Sequence, residues 1–119
     1  MKSNVIYHCL RLIKGQDLKV EIVKFTNKSK IHAGVIISLV GSLSKANLRM
    51  AEAKVEKTWH EDLEIVSATG TISIYDPHIH ISISDKNGDV YGGHLKDGCI
   101  VNTTVELVIL ELENIEFKR

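Results

Sequence analysis

The stretch Pro77–Leu95, PHIHISISDKNGDVYGGHL, decides how the chain folds. From His78 to Ser84 polar and apolar residues alternate strictly. His78, His80, Ser82 and Ser84 share one face of a strand, and Ile79, Ile81 and Ile83 share the other. Asp85-Lys86-Asn87-Gly88-Asp89 follows, a strong hairpin signal because Asn87 and Gly88 tolerate positive φ. Val90–Leu95 is then the returning strand. Two registers are open. A two-residue Asn87-Gly88 turn pairs Lys86 with Asp89, sets His80 opposite Leu95 and turns His94 away. A three-residue loop, Lys86-Asn87-Gly88, pairs Asp85 with Asp89 and sets His80 opposite His94 on the face that also carries His78. Directly opposed side chains have Cβ atoms about 5 Å apart, so the second register brings three imidazoles together.

Outward from this hairpin the pattern is mostly β. Towards the N-terminus, Leu63–Ile74 reads as a strand with a bend or bulge at Gly70. Lys54–Trp59 and Asn47–Met50 read as shorter, half-polar strands. Ala33–Val40 reads as an apolar central strand ended by Gly41 and Ser42. Asn4–Leu12 reads as the first strand. Between it and Ala33, Leu18, Ile22 and Phe25, with Val23 beside them, give one apolar helical face over about Gln16–Lys28. Asp17 and Glu21 fall early in that helix and Lys24, Lys28 and Lys30 late, the order that suits the helix dipole. Towards the C-terminus, Thr103–Leu112 is a long last strand with a phase slip near Leu110. The expected fold class is α+β: a mostly antiparallel sheet of about seven or eight strands with one main helix, in a single domain over residues 1–119.

Composition bounds the function. The 119 residues are 44% hydrophobic and 25% charged, ordinary for one globular domain. Fifteen basic residues balance fifteen acidic ones, so no net field draws the chain to nucleic acid or an anionic membrane. No apolar run approaches the roughly 20 residues that span a bilayer, and the N-terminus lacks the pattern of a secretory signal. The two cysteines, Cys9 and Cys99, form no CxxC pair. A cytoplasmic protein with free thiols is the expectation.

The chemistry-bearing candidates are few. Three histidines converging on one face suit zinc or another divalent transition metal and leave a position for water or a ligand. A solvent-facing polar stripe would have the same spacing. His8, His32 and His60 are scattered, which fits structural or exposed positions. Cys99, between Gly98 and Ile100, reads as a small core residue, and Cys9 beside His8 points to the opposite face. Arg11 and Arg49 lie on expected strands, as surface or ion-pairing residues or as anion binders near the metal. Gly41-Ser42 is either a strand-ending turn or a source of backbone N–H groups for a ligand. No GxGxxG, Walker A, GxSxG or HExxH motif is present.

In order along the chain, Leu10–Asp17 (LRLIKGQD), Ile31–Leu43 (IHAGVIISLVGSL), Ala46–Met50 (ANLRM), Leu63–Gly70 (LEIVSATG), His78–Ser84 (HIHISIS) and Gly92–Thr104 (GGHLKDGCIVNTT) resemble the PPC family. This is the domain shared by plants and prokaryotes that follows an AT-hook in plants, and the likeness is to the stand-alone prokaryotic type. The resemblance implies an antiparallel α+β domain that assembles as a homotrimer, with a metal site at His78, His80 and His94. It departs from the plant pattern in two places. There is no Arg-Gly-Arg-Pro core, and the Gly-Arg-Phe-Glu-Ile-Leu partner-binding motif is replaced by Glu61-Asp62-Leu63-Glu64-Ile65-Val66.

Two function classes follow. One is a trimeric PPC-like binding or regulatory module with a three-histidine metal site, a small-molecule or protein ligand, and a DNA-associated role by family analogy only. DNA contact is then weak or indirect, and no membrane is involved. The other is a small metalloenzyme that uses the open metal position to activate water or polarise a carbonyl, with Glu64 as the nominal acid or base.

Overall fold

A computed structural model describes residues 2–119. Seven strands form one antiparallel sheet: β1 (Val5–Ile13), β2 (Gly34–Arg49), β3 (Glu56–Trp59), β4 (Leu63–Ile72), β5 (His78–Ser84), β6 (Val90–Leu95) and β7 (Ile100–Leu112). The single α-helix among the described residues, α1, spans Leu18–Ser29. The α+β class and the antiparallel sheet expected from the alternation are the ones observed.

The helix begins where its chemistry allows. The Asp17 carboxylate accepts from the Val20 N–H at 3.2 Å and from the Gly98 N–H at 2.8 Å, so one side chain caps α1 and ties it to the turn before β7. Lys30, at φ 55°, closes the helix in the left-handed conformation. Leu18 and Ile22 are fully buried, and Phe25 packs against the core.

Strand β2 differs from the expectation. Ala33–Val40 and Asn47–Met50 are parts of one 16-residue strand, and Gly41 and Ser42 lie inside it instead of ending it. Gly41 adopts φ 153°, and a Cβ there would lie 2.7 Å from Val105 Cα and overlap the Thr104 carbonyl oxygen. The glycine therefore bends β2 and lets β7 approach closely. The Ser42 hydroxyl accepts from the Thr103 N–H at 3.2 Å. Strand β4 also departs in detail. Its bulge falls between Ile65 and Ser67, while Gly70 provides room, since a Cβ there would meet His78 O at 2.6 Å.

The continuity of β2 shapes the whole sheet. It pairs with β7 as far as Lys45 and with β4 as far as Leu43, and its last residues pair with β3 and with β6, as Leu48↔Leu95 and Arg49↔His94. The path β2-β4-β5-β6 thus returns to β2 and closes on itself. The inward face carries Leu43, Leu48, Leu63, Ile72, Ile79, Ile83 and Leu95, all essentially without solvent contact. Ile36, Val105, Leu107 and Ile109 extend that core under α1. The opposite face stays open, with Tyr7, Ile37, Val40 and Val66 each more than half exposed. Exposure of Ile37 and Val40 follows from a register shift between Ile36 and Ser38, which interrupts the alternation of an otherwise apolar strand.

Candidate metal centre

The β5–β6 connection settles the register. Asp85 N donates to Asp89 O at 3.0 Å, Gly88 N donates to Asp85 O at 3.0 Å, and Gly88 sits at φ 83°. The Asp85 carboxylate accepts from the N–H groups of Asn87 and Asp89, at 2.9 and 3.0 Å. This is the three-residue loop, and its ladder pairs His80 with His94.

His78, His80 and His94 consequently share the outer face. Their ring centroids stand 5.0 Å (His78–His80), 5.5 Å (His78–His94) and 5.5 Å (His80–His94) apart. One nitrogen from each ring lies within 4.8 Å of the others. The site is built on two adjacent strands held by regular pairing, so the positions of the rings depend on the sheet rather than on a mobile loop.

The donor set suits a divalent transition metal. Burial pushes the His94 imidazolium down to about 4, with the charges of Arg49, His80, His78 and Lys19 acting in the same direction. His78 is lowered too, first by burial and then by Arg119, His80 and Arg49, with Asp76 opposing. Both rings are therefore neutral at pH 7, the form that offers a lone pair to a metal. His94 Nδ1 is buried without a hydrogen-bond partner, and an unsatisfied buried nitrogen beside two more imidazoles is a natural coordination position.

Next to the histidines lies a pocket of about 560 Å³. His80 and His94 form one wall, Ser67, Thr69 and Ser82 add hydroxyls, and Gly92 contributes no side chain. Arg49 and the short 3-10 turn Ala51–Ala53 complete it. Arg49 stands directly across the β2–β6 ladder from His94. Glu52 in that turn has φ 73°, an uncommon conformation for a residue with a side chain. Neither Glu52 nor the pairing of Arg49 is legible in the sequence, because both depend on the far end of β2 reaching β6.

The other candidates go elsewhere. Glu64 pairs with Ser42 and Ser84 and lines a separate hollow with Asp62, Asp85, Lys86 and Asn102. It lies four residues along β5 from His80, about 13 Å at the rise of a strand, and so is displaced from the histidines. Arg11 stands across from Glu106 on the β1–β7 ladder, several strands from β5. His8 bonds Glu111 at 2.8 Å and packs edge-on to Phe25. His32 packs on Tyr75, and His60 is exposed. The Cys99 thiol is buried and accepts from the Asn47 N–H at 3.3 Å; burial pushes it up to about 11, which makes it a packed residue rather than a nucleophile. Cys9 is exposed on the sheet face opposite His8.

Several known proteins resemble this chain in fold and sequence. A structure of a hypothetical protein from Salmonella enterica matches with a TM-score of 0.96 and 34% identity, over 100% of this chain and 86% of that one. A metal-containing protein from Archaeoglobus fulgidus matches with a TM-score of 0.86 and 31% identity, over 99% of this chain and 88% of that one. The bifunctional protein GlmU of a Synechococcus strain is 39% identical over 110 residues, which are 92% of this chain and 18% of GlmU. The chain therefore spans under a fifth of the length of that curated relative. Residues 2–113 match the model of the Plants and Prokaryotes Conserved domain, and the chain belongs to that family.

Proposed function

We propose that this chain is a binding or regulatory module whose three histidines, His78, His80 and His94, hold one divalent metal, most suitably zinc, with at least one coordination position facing the adjoining pocket. The observation that carries this reading is the convergence of three ring nitrogens within 4.8 Å on one sheet face, with His94 Nδ1 left without a protein partner. Three imidazoles complete only part of a tetrahedral set. Thr69 and Thr71, opposite His80 and His78 on β4, flank the rings, and the pairing of β5 with β4 and β6 holds them in place. A bound metal supplies Lewis acidity at the open position. Of the chain's own residues, Arg49 offers a fixed positive charge, Glu52 a carboxylate in the same pocket, and Ser67, Thr69 and Ser82 hydroxyls that orient a small molecule. The placement of Glu64 removes the acid or base named for the enzymatic alternative, so ligand binding is the favoured reading. The metal-containing relative from Archaeoglobus fulgidus supports the metal.

Two further parts of the reading concern partners. We assign a homotrimer, supported by the family likeness and by the open apolar face around Tyr7, Ile37, Val40 and Val66. A DNA-associated role rests on family analogy. With charge balanced over the chain, few phosphates are neutralised at once, so such contact is weak and falls steeply with salt.

Metal analysis of tag-free purified protein tests the site. The wild type retains about one metal per chain, and His80→Ala loses most of it with an unchanged far-UV circular dichroism spectrum, because His80 is exposed on the outer face. Equal metal in the two proteins would refute the assignment.

A further inference from the structure

Arg49 is a half-buried guanidinium at the end of β2, directly opposite His94 in the ladder. Opposed residues on one face have Cβ atoms about 5 Å apart, so the guanidinium is carried on the wall from which His94 projects. It takes part in none of the ion pairs among the described residues. Glu52, the acidic residue that shares the pocket, comes from the turn just beyond β2. Around the histidines the balance is positive: a divalent ion held there would add two positive charges to that of Arg49, against Asp76 near His78 and Glu52 in the pocket. No carboxylate belongs to the histidine cluster itself.

A site of this composition attracts an anion. The planar fork of arginine matches the two oxygens of a carboxylate or phosphoryl group, and a metal with an open position accepts one of the same oxygens. The pocket has room for more than the anionic group alone, at about 560 Å³. Gly92, on the same face as His80 and His94, keeps the approach free, since a Cβ there would lie 3.3 Å from the Ser82 hydroxyl on that face. The hydroxyls of Ser67, Thr69 and Ser82 and the carboxylate of Glu52 face the rest of such a molecule.

We propose that Arg49 and the open metal position together form a receptor for one oxyanion group, the carboxylate or phosphoryl end of a small hydroxylated metabolite whose hydroxyls reach Ser67, Thr69, Ser82 or Glu52. The proposal rests on the three-histidine metal reading for one of its two anchors, and Arg49 is the anchor that belongs to the chain itself. Arg49 acts here as a ligand-binding residue, and no chemical step is assigned to it.

The test uses cobalt-loaded and metal-stripped protein, wild type and Arg49→Gln, titrated by calorimetry with lactate, inorganic phosphate and the neutral control lactamide. Visible absorption of the cobalt is followed in parallel. In the loaded wild type both anions bind and perturb the cobalt spectrum, while lactamide binds at least tenfold more weakly. The stronger of lactate and phosphate identifies a carboxylate or a phosphoryl ligand. Arg49→Gln holds the same amount of cobalt and binds the anions about ten- to a hundredfold more weakly, the range for a hydrogen bond to a charged group. Arg49→Lys keeps the charge without the fork and falls between the two; it carries the comparison if the glutamine variant does not fold. Equal anion affinity in the wild type and the variants, equal binding of lactate and lactamide, or no anion binding at all would overturn the proposal. If the wild type holds no cobalt, the metal reading fails by itself. Arg49-dependent anion binding to the metal-free protein then sustains the receptor, and its absence ends it.

Discussion

His94 is where packing and protonation meet. Its ring is partly buried between β5 and β2, and burial holds its folded value at about 4, against an ordinary value of 6.5. Unfolding lets the ring take up a proton that the folded protein refuses. The metal-free protein therefore has its full stability above pH 6.5 and loses part of it as the pH falls from about 6.5 to about 4. The lowered His78 adds to the loss in the same direction. Urea unfolding midpoints at pH 7.5, 5.5 and 4.5 give the slope, and His94→Gln reduces it; an identical slope in the two proteins would show that His94 is not the group responsible. At this scale the sequence was informative where side chains lie close along the chain. Alternation put His78 and His80 on one face, and Gly88 allowed the loop that brings His94 to them. Arg49 was one of two arginines offered as anion binders near the metal, and what the sequence hid was the strand pairing that puts Arg49 there and not Arg11. Glu52 gave no signal at all, because its place in the pocket depends on the same pairing.

Glycines show how one residue type can serve an element in unrelated ways. Gly88 and Gly41 both have positive φ, at 83° and 153°. Nothing lies within 4 Å of a Cβ built at Gly88, whereas one at Gly41 would meet the backbone of β7. Gly88→Ala therefore costs about 1 kcal/mol, from the backbone conformation alone. Gly41→Ala costs more, at least about 2 kcal/mol, because strain is joined by a clash that neither strand can relieve without moving apart. Denaturant midpoints for the two variants check the order, and an equal loss would refute it. The same glycine explains the misread boundary in β2. Gly41-Ser42 has the composition of a turn, and only the long-range approach of Thr104 and Val105 shows that the strand bends and continues. The hairpin was legible for the opposite reason, since its turn chemistry and its two alternating strands are all local.

Over the whole molecule, one face of the sheet is covered by α1 and the core, and the other presents Tyr7, Ile37, Val40 and Val66 to solvent. Strand β1 also leaves an edge unpaired among the described residues. A second and third copy cover such surfaces in the proposed trimer. Light scattering is expected to give three times the chain mass, and Val40→Glu, which places a charge on the open face, is expected to lower it; a monomer mass across a wide concentration range would defeat the assignment. The closure of the sheet carries a different consequence. Because β2 lends its 16 residues to β7, β4, β3 and β6 in turn, it acts as a tie-rod through which tension at one end is felt along its length. In the proposed metal-bound state, a clamp across β5 and β6 would suppress the opening of β6 away from β2. The amide hydrogens that lie between β6 and β2 are those of Lys96, which donates to Asn47 O at 3.3 Å, and of Arg49, in the next bonded pair of the ladder. Both therefore exchange with deuterium more slowly once metal is loaded, although neither residue is a proposed metal ligand. Unchanged exchange at both would mean that β6 breathes independently of the rod.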